Sequence, residues 1–125
     1  MFSVKRFGKS VKYAMRGLAS VAKHEQSFRL QLIAAVAIII VMFAVPLATW
    51  EIIMLLVMIV AVLVLEVVNS IFERIADAMK PRLSPVVREV KDMMAGAVLL
   101  TSVTAVIVAA LIFQSYIVEV LGITM

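Results

Sequence analysis

The sequence predicts an all-α membrane protein in which an N-terminal amphipathic surface helix precedes three transmembrane helices. Of the 125 residues, 65% are hydrophobic, and the mean hydropathy is +1.15, whereas about half of the residues of a soluble domain are apolar. Three apolar runs each approach the roughly 20 residues that a helix needs to cross a bilayer. The twelve Lys and Arg residues all lie in the first 29 residues or between residues 74 and 91. That clustering favours lipid headgroups over nucleic acid as the partner of the net positive charge.

Residues 2–23 are predicted to form the surface helix. Apolar and basic side chains recur every three or four positions on two separate sides, as in helices that lie in a membrane interface. The apolar side carries Phe7, Val11, Met15, Leu18 and Ala22, and the basic side carries Lys5, Lys9, Lys12, Arg16 and Lys23. The recurring lysines exclude the uninterrupted apolar core of a signal peptide. A basic anchor on anionic lipid is the simplest interpretation.

The first and second spans are predicted as an antiparallel hairpin. The first covers residues 28–46 and ends at Pro46, and the second covers residues 50–79 after a short connection. Thr49 is the predicted N-cap of the second helix, with Glu51 in its first turn, where negative charge suits the helix dipole. Because this helix is longer than a bilayer is thick, we expect its last turns to emerge into water.

The third span is predicted over residues 85–113. Ser84 and Pro85 resemble the N-cap and first residue of a helix, and the small residues 95–97 would allow another helix to approach closely. Lys and Arg flank the start of the first span and fill the connection before the third. By the positive-inside rule, the N-terminus is cytoplasmic and the C-terminus lies outside.

A polar stripe interrupts the second span. Glu66, Asn69, Glu73 and Asp77 stand at i, i+3, i+7 and i+11 and therefore share one face of a helix. A charged side chain near the centre of a membrane helix costs about 2.5 to 3.5 kcal/mol on insertion scales, so acids at this depth are candidate functional residues.

Three polar clusters are expected at one depth, on the cytoplasmic side: residues 25–29, the stripe, and residues 88–92. Mg²⁺ takes one or two carboxylates together with phosphate oxygens and waters, and a lysine neutralises phosphate charge. Glu66, partly desolvated by the membrane, suits a general base acting on a lipid hydroxyl. The chain has no Walker motif, and the absence of cysteine excludes thiolate metal sites and cysteine nucleophiles.

A second interpretation is a non-catalytic membrane assembly or a small transport protein. The buried acids would then hold an oligomer together or carry a cation. The discriminating features are Glu25 and the Lys91–Asp92 pair, because helix packing does not need them at the depth of the stripe, whereas phosphoryl transfer does.

These residues resemble the motifs of the prokaryotic diacylglycerol kinase and undecaprenol kinase family of membrane lipid kinases. The family's central pattern begins E-x-x-N-[ST] and has acids at its eighth and twelfth positions. Residues 66–77 match it, with Glu66 first, Glu73 eighth and Asp77 twelfth. Lys91 and Asp92 begin the family's K-D element, and Glu25, Phe28 and Arg29 match its E-x-x-F-R element. The resemblance covers about residues 5–113.

The resemblance implies a homotrimer in the bacterial inner membrane, with active sites shared between neighbouring subunits at the cytoplasmic face. The reaction would move the γ-phosphoryl group of ATP to a membrane lipid alcohol, with undecaprenol favoured and diacylglycerol next. On matching positions, Glu66 is the implied general base and Asn69 an orienting group. Mg²⁺ and the nucleotide are assigned to Glu25 and Glu73, and further nucleotide contacts to Asp77, Lys91, Asp92 and, from the surface helix, Tyr13.

Four positions depart from the family's usual residues. Ile71 and Phe72 replace smaller residues beside the stripe, Gln31 stands where some members carry an acid, and Ser84 lies in a loop where histidine is common. None of them removes a residue to which chemistry is assigned, and they bear on which lipid fits.

Overall fold

The computed structural model describes residues 3–79 and 85–122. All regular structure in these two ranges is helical, in four helices: α1 (Val4–His24), α2 (Gln26–Ala44), α3 (Thr49–Ala78) and α4 (Pro85–Leu121). The last three are each long and apolar enough to cross a membrane. The predicted fold class, an all-α membrane protein with three spans after an amphipathic helix, is confirmed.

The surface helix α1 is fixed at both ends by side chains. Ser3 is the N-cap and its hydroxyl accepts a hydrogen bond from the backbone N–H of Arg6. At the other end, Arg29 Nη1 donates to the carbonyls of Ala22 and Lys23, each at 2.9 Å. These carbonyls belong to the last turn, which lacks partners within the helix. A residue of α2 therefore closes the end of α1 and sets the bend between the two helices.

The connection from α2 to α3 corrects one prediction. The prediction that Thr49 is the N-cap is wrong: Thr49 is already helical, and Ala48 is the N-cap. Alanine has no side-chain acceptor, but Glu51 Oε1 accepts a hydrogen bond from the backbone N–H of Ala48, with 2.9 Å between the nitrogen and the oxygen. The acid in the first turn thereby stabilises the start of α3, as a glutamate at the third helical position does in a capping box.

The last helix is longer than the apolar run that predicts it. It continues to Leu121 instead of ending at residue 113, because the intervening residues include no glycine or proline to stop it. Gly122 adopts a positive φ of 65°, the left-handed conformation in which helices commonly end. Ser84, the predicted N-cap of α4, lies outside the described residues.

The central helix is α3, which contacts each of the other three. Between α2 and α4 lies a cavity of about 200 Å³, lined largely by alanine and aliphatic side chains of all three spans. Gln31 Nε2 donates to Ser102 Oγ across it at 3.4 Å. The neighbouring hydroxyls of Thr101 and Thr104 instead bond back to carbonyls of α4 at 2.9 and 2.8 Å. Within one chain, no other described helix comes within 4 Å of the position that a Cβ would take at Gly96, so the small residues 95–97 do not serve a close contact with another helix of the same chain there.

Candidate active site

The C-terminal half of α3 holds the polar stripe on one face. Glu66 is buried, with 7% of its surface exposed, while Asn69 and Glu73 are half-buried and Asp77 is exposed. Asn69 Nδ2 donates to Glu73 Oε1 at 3.3 Å, one helical turn further on. The amide therefore orients the second carboxylate of the stripe.

Glu25 joins this stripe from the junction of α1 and α2. Its carboxylate accepts a hydrogen bond from Ser70 Oγ at 3.1 Å, and Ser70 is almost fully buried, at 1% exposed. The carboxylates of Glu25 and Glu73 both lie close enough to Glu66 for their charges to act on it. Residues far apart in the sequence thus form a cluster of three acids.

The junction that carries Glu25 is tied to α3 at a second point. Arg74 Nη1 donates to Ser20 Oγ at 3.2 Å. Arg74 stands one turn beyond Ser70 on α3, so two successive turns hold the end of α1 and its junction with α2. Together with Arg29, these contacts fix the acid cluster against the surface helix.

The third predicted cluster does not join the other two within one chain. Lys91 lines a small cavity of about 160 Å³ together with Phe72, Ile75 and Met79 of α3. On a helix these three positions lie opposite Glu66 and Glu73. Asp92 is exposed. The packing of α4 against that side of α3 therefore separates the Lys91–Asp92 pair from the acids of the same chain.

Tyr13 also lies away from the acids of its own chain. Its side chain is 60% exposed, and the guanidinium carbon of Arg16 lies 5.5 Å from the centre of its ring. The α1 residues that face α2 and α3 are others, among them Met15, Leu18 and Ala22. Within one chain, Tyr13 is part of the exposed surface of α1.

An apolar groove lies beside the buried glutamate. It has a volume of about 540 Å³ and is lined by side chains of α1, α2 and α3, including Met15, Phe28, Leu63 and Val67. Phe28 and Leu63 each stand three residues from an acid of the cluster, Glu25 and Glu66 respectively, so the groove lies at the depth of the cluster, and no acid of the cluster lines it. Its lining is almost entirely hydrocarbon, which suits a lipid chain.

The donor set suits a hard divalent cation bound with a nucleotide. Glu25 and Glu73 provide carboxylate oxygens, which Mg²⁺ prefers. Over residues 3–79 and 85–122, no group of three or more His, Cys, Asp or Glu residues has the geometry to hold a metal ion by itself. The acids therefore fit an ion whose remaining ligands are phosphate oxygens and water, and not a closed protein cage.

Sequence reasoning did not find Ser70, Arg74 or Ser20 as supports of the cluster. A signal existed for Ser70, because it follows Glu66 by four residues and therefore lies near the stripe on α3. Its partner Glu25 is on another helix, and a single sequence gives no measure of that distance.

Two comparisons with known proteins converge on one family. The family model described as prokaryotic diacylglycerol kinase matches residues 12–113. Undecaprenol kinase of Bacillus subtilis (strain 168) is 33% identical over 108 residues, which cover 86% of this chain and 88% of that relative. The segment matched by the family model includes Glu25, Glu66, Asn69, Glu73 and Lys91.

Proposed function

From the premise that this chain belongs to the prokaryotic diacylglycerol kinase family and is a membrane lipid kinase, we propose that it transfers the γ-phosphoryl group of ATP to undecaprenol. Diacylglycerol is the second candidate acceptor. Family membership decides against the non-catalytic assembly or transport protein that the composition alone left open. The name of the relative from Bacillus subtilis supports the preference for undecaprenol.

The observation that carries the proposal is the buried Glu66 carboxylate, which lies within reach of the charges of Glu25 and Glu73 and at the depth of an apolar groove. In the proposed reaction, Glu66 accepts the proton of the lipid hydroxyl as the oxygen attacks the γ-phosphorus. The bond between that phosphorus and the bridging oxygen of ADP breaks, so the products are the lipid phosphate and ADP. Asn69 orients Glu73.

Glu25 and Glu73 are the residues that would hold Mg²⁺ with the nucleotide. A bound Mg²⁺ supplies charge neutralisation and orientation of the phosphates. Lys91 and Asp92 are proposed to contact the nucleotide from a neighbouring subunit of a homotrimer, since in its own chain Lys91 lies on the other side of α3 and Asp92 is exposed. Asp77 and Tyr13 are further proposed nucleotide contacts at the cytoplasmic edge.

The hydrocarbon tail of the acceptor is proposed to lie in the groove between α1, α2 and α3. Its lining offers hydrocarbon contacts, so it suits an isoprenoid and an acyl chain alike. The distribution of Lys and Arg supports an inner-membrane protein with a cytoplasmic N-terminus, which puts the acid cluster on the side where ATP is available.

The test is phosphate transfer from labelled ATP to undecaprenol and to diacylglycerol by the purified protein, with Glu66→Gln as the variant. We expect transfer to fall about 100-fold or more, the usual effect of removing a general base. Glu51→Gln is the matched control, because Glu51 lies on the same helix and is buried to the same extent, 7% exposed. The amide oxygen of a glutamine can accept the two hydrogen bonds that Glu51 Oε1 accepts, from the backbone N–H of Ala48 and from Tyr116 Oη.

Unchanged transfer in Glu66→Gln would remove Glu66 from the role of base. An equal loss in both variants would mean that neutralising any buried acid of α3 disturbs the fold. Preference for diacylglycerol by the wild type would reverse the proposed order of substrates.

A further inference from the structure

We propose that Ser70 is a positioning residue that orients the Glu25 carboxylate toward the nucleotide and its metal ion. The proposal rests on the proposed role of Glu25. Ser70 is the most deeply buried side chain described, at 1% exposed, and its hydroxyl donates to Glu25 Oε1 at 3.1 Å. This hydrogen bond fixes the direction of the carboxylate and leaves Oε2 available to a cation.

The Ser70 hydroxyl does not bond in the way that hydroxyls inside helices usually do. Serine and threonine in a helix commonly donate to the carbonyl four residues earlier, and Thr101 and Thr104 of α4 do so at 2.9 and 2.8 Å. Ser70 instead donates to a different helical segment, 45 residues away in the sequence. Its hydrogen bond is therefore directed at the acid cluster.

Glu25 likewise does not perform the structural task that its position suggests. It is the N-cap residue of α2, where an acidic side chain ordinarily accepts a backbone N–H of the first turn. Its side chain makes no such capping bond, and the carboxylate points to α3 instead. The carboxylate is thus directed to Ser70 and lies close enough to Glu66 for its charge to act there.

The hydroxyl is also a neutral donor, so it supports Glu25 without altering the charge of the cluster. A cation at this position would neutralise the carboxylate and compete with the metal ion, while an apolar side chain would leave Oε1 without a donor in a buried setting. A neutral donor fixes the direction of the carboxylate and leaves its negative charge for the ligand.

The test compares Ser70→Ala with Thr104→Ala, which removes a hydroxyl bonded within its own helix. Binding of Mn²⁺ with a non-hydrolysable ATP analogue is measured by electron paramagnetic resonance, and the KM values for ATP and for lipid are measured alongside. We expect Ser70→Ala to weaken nucleotide binding about tenfold, as for loss of a hydrogen bond to a charged group. The KM for lipid should stay near the wild-type value, and Thr104→Ala should match the wild type in both.

Two further variants separate positioning from packing. Ser70→Thr keeps the hydroxyl and should restore binding, and adding Ser70→Ala to Glu25→Gln should cause no further loss. If Ser70→Thr does not fold, the double variant of Ser70→Ala and Glu25→Gln decides between the two roles. Losses of nucleotide binding that add fully in that double variant would overturn the proposal. Wild-type binding by Ser70→Ala in an active enzyme would also overturn it. Absence of both binding and transfer in the wild type would instead overturn the proposed function, and this inference with it.

Discussion

At the scale of single residues, the polar side chains of α3 work in pairs with the acids they support. Asn69 donates to Glu73 one turn away, and the adjacent Ser70 donates to Glu25 of the α1–α2 junction. Each donor is neutral, so each orients a carboxylate without cancelling its charge. Two consecutive residues thus hold the two acids proposed to bind the metal ion and nucleotide.

The Asn69–Glu73 pair leads to a prediction for Asn69→Asp. The substitution keeps the size of the side chain but places a second negative charge next to Glu73, where like charges repel. We expect kcat/KM for the magnesium–ATP complex to fall about tenfold or more, as expected when a hydrogen bond to a charged group is lost. Initial rates at varied ATP measure it.

The control for Asn69→Asp is Gln114→Glu, the same amide-to-acid change at an exposed residue of α4. We expect it to retain wild-type kinetics. An Asn69→Asp enzyme with an unaltered kcat/KM would show that the orientation of Glu73 does not limit nucleotide use.

The stripe was predictable from sequence because spacing along one helix determines which residues share a face. Its partners were not predictable in the same way. Glu25 meets Ser70 through the bend after α1, and Lys91 lies opposite Glu66 because of the direction in which α4 crosses α3. Both depend on distances between helices, and a single sequence contains only distances along them.

At the scale of elements, α3 and α4 are also joined at the end opposite the acid cluster. Tyr116 Oη donates to Glu51 Oε1 at 2.5 Å, and the same oxygen accepts the backbone N–H of Ala48. Glu51 is buried, so both donors compensate a carboxylate that is removed from water. This contact links the α2–α3 connection to the last turns of α4.

Tyr116→Phe should therefore destabilise the packing of the helices without altering phosphoryl transfer. We expect the midpoint of thermal unfolding in detergent to fall by several degrees, because a buried carboxylate loses one of its donors. Tyr13→Phe is the matched control, since it removes a hydroxyl from a tyrosine that is 60% exposed on α1. Equal midpoints for the two variants would contradict the role assigned to the Tyr116–Glu51 bond.

The long helices themselves follow from hydropathy, because a run of apolar residues of membrane length has few other stable conformations in lipid. Helix ends depend on local chemistry that hydropathy does not measure. Glu51 makes Ala48 an adequate N-cap, and α4 continues past its most apolar stretch until Gly122. The end of α4 differs from the predicted boundary by eight residues, whereas the bounds of the other helices differ by one or two.

At the scale of the whole molecule, one chain contains only part of the proposed site. Glu25, Glu66 and Glu73 converge, but Lys91 faces the other side of α3. In a symmetric oligomer with head-to-tail contacts, two different surfaces of the subunit meet, so the Lys91 side of one subunit can meet the acid cluster of the next. We propose that the homotrimer implied by the family motifs has that arrangement.

Mixing inactive subunits tests a shared site. Glu66→Gln and Lys91→Ala chains are each expected to be inactive, but co-reconstituted at equal amounts they should recover about a quarter of wild-type activity in randomly mixed rings. One subunit then supplies an intact acid cluster and its neighbour an intact lysine. Labelled phosphate transfer to lipid is the measurement.

The control mixture combines Glu66→Gln with Glu73→Gln. Both acids belong to the cluster of a single chain, so every mixed site lacks one of them and no recovery is expected. Recovery in this control, or none with Lys91→Ala, would contradict a site in which the lysine comes from the neighbour.

The unequal lengths of the helices have a consequence for how the two substrates meet. At 1.5 Å per residue, α2 with 19 residues is about 28 Å long and α3 with 30 residues about 45 Å, so α2 just crosses the hydrocarbon layer while α3 rises beyond it. The proposed lipid alcohol can then stay in its leaflet during the reaction, because ATP binds at the membrane surface from the water. The rate of phosphoryl transfer would accordingly depend on the mole fraction of the lipid alcohol in the bilayer. It would not depend on the bulk concentration of the vesicles.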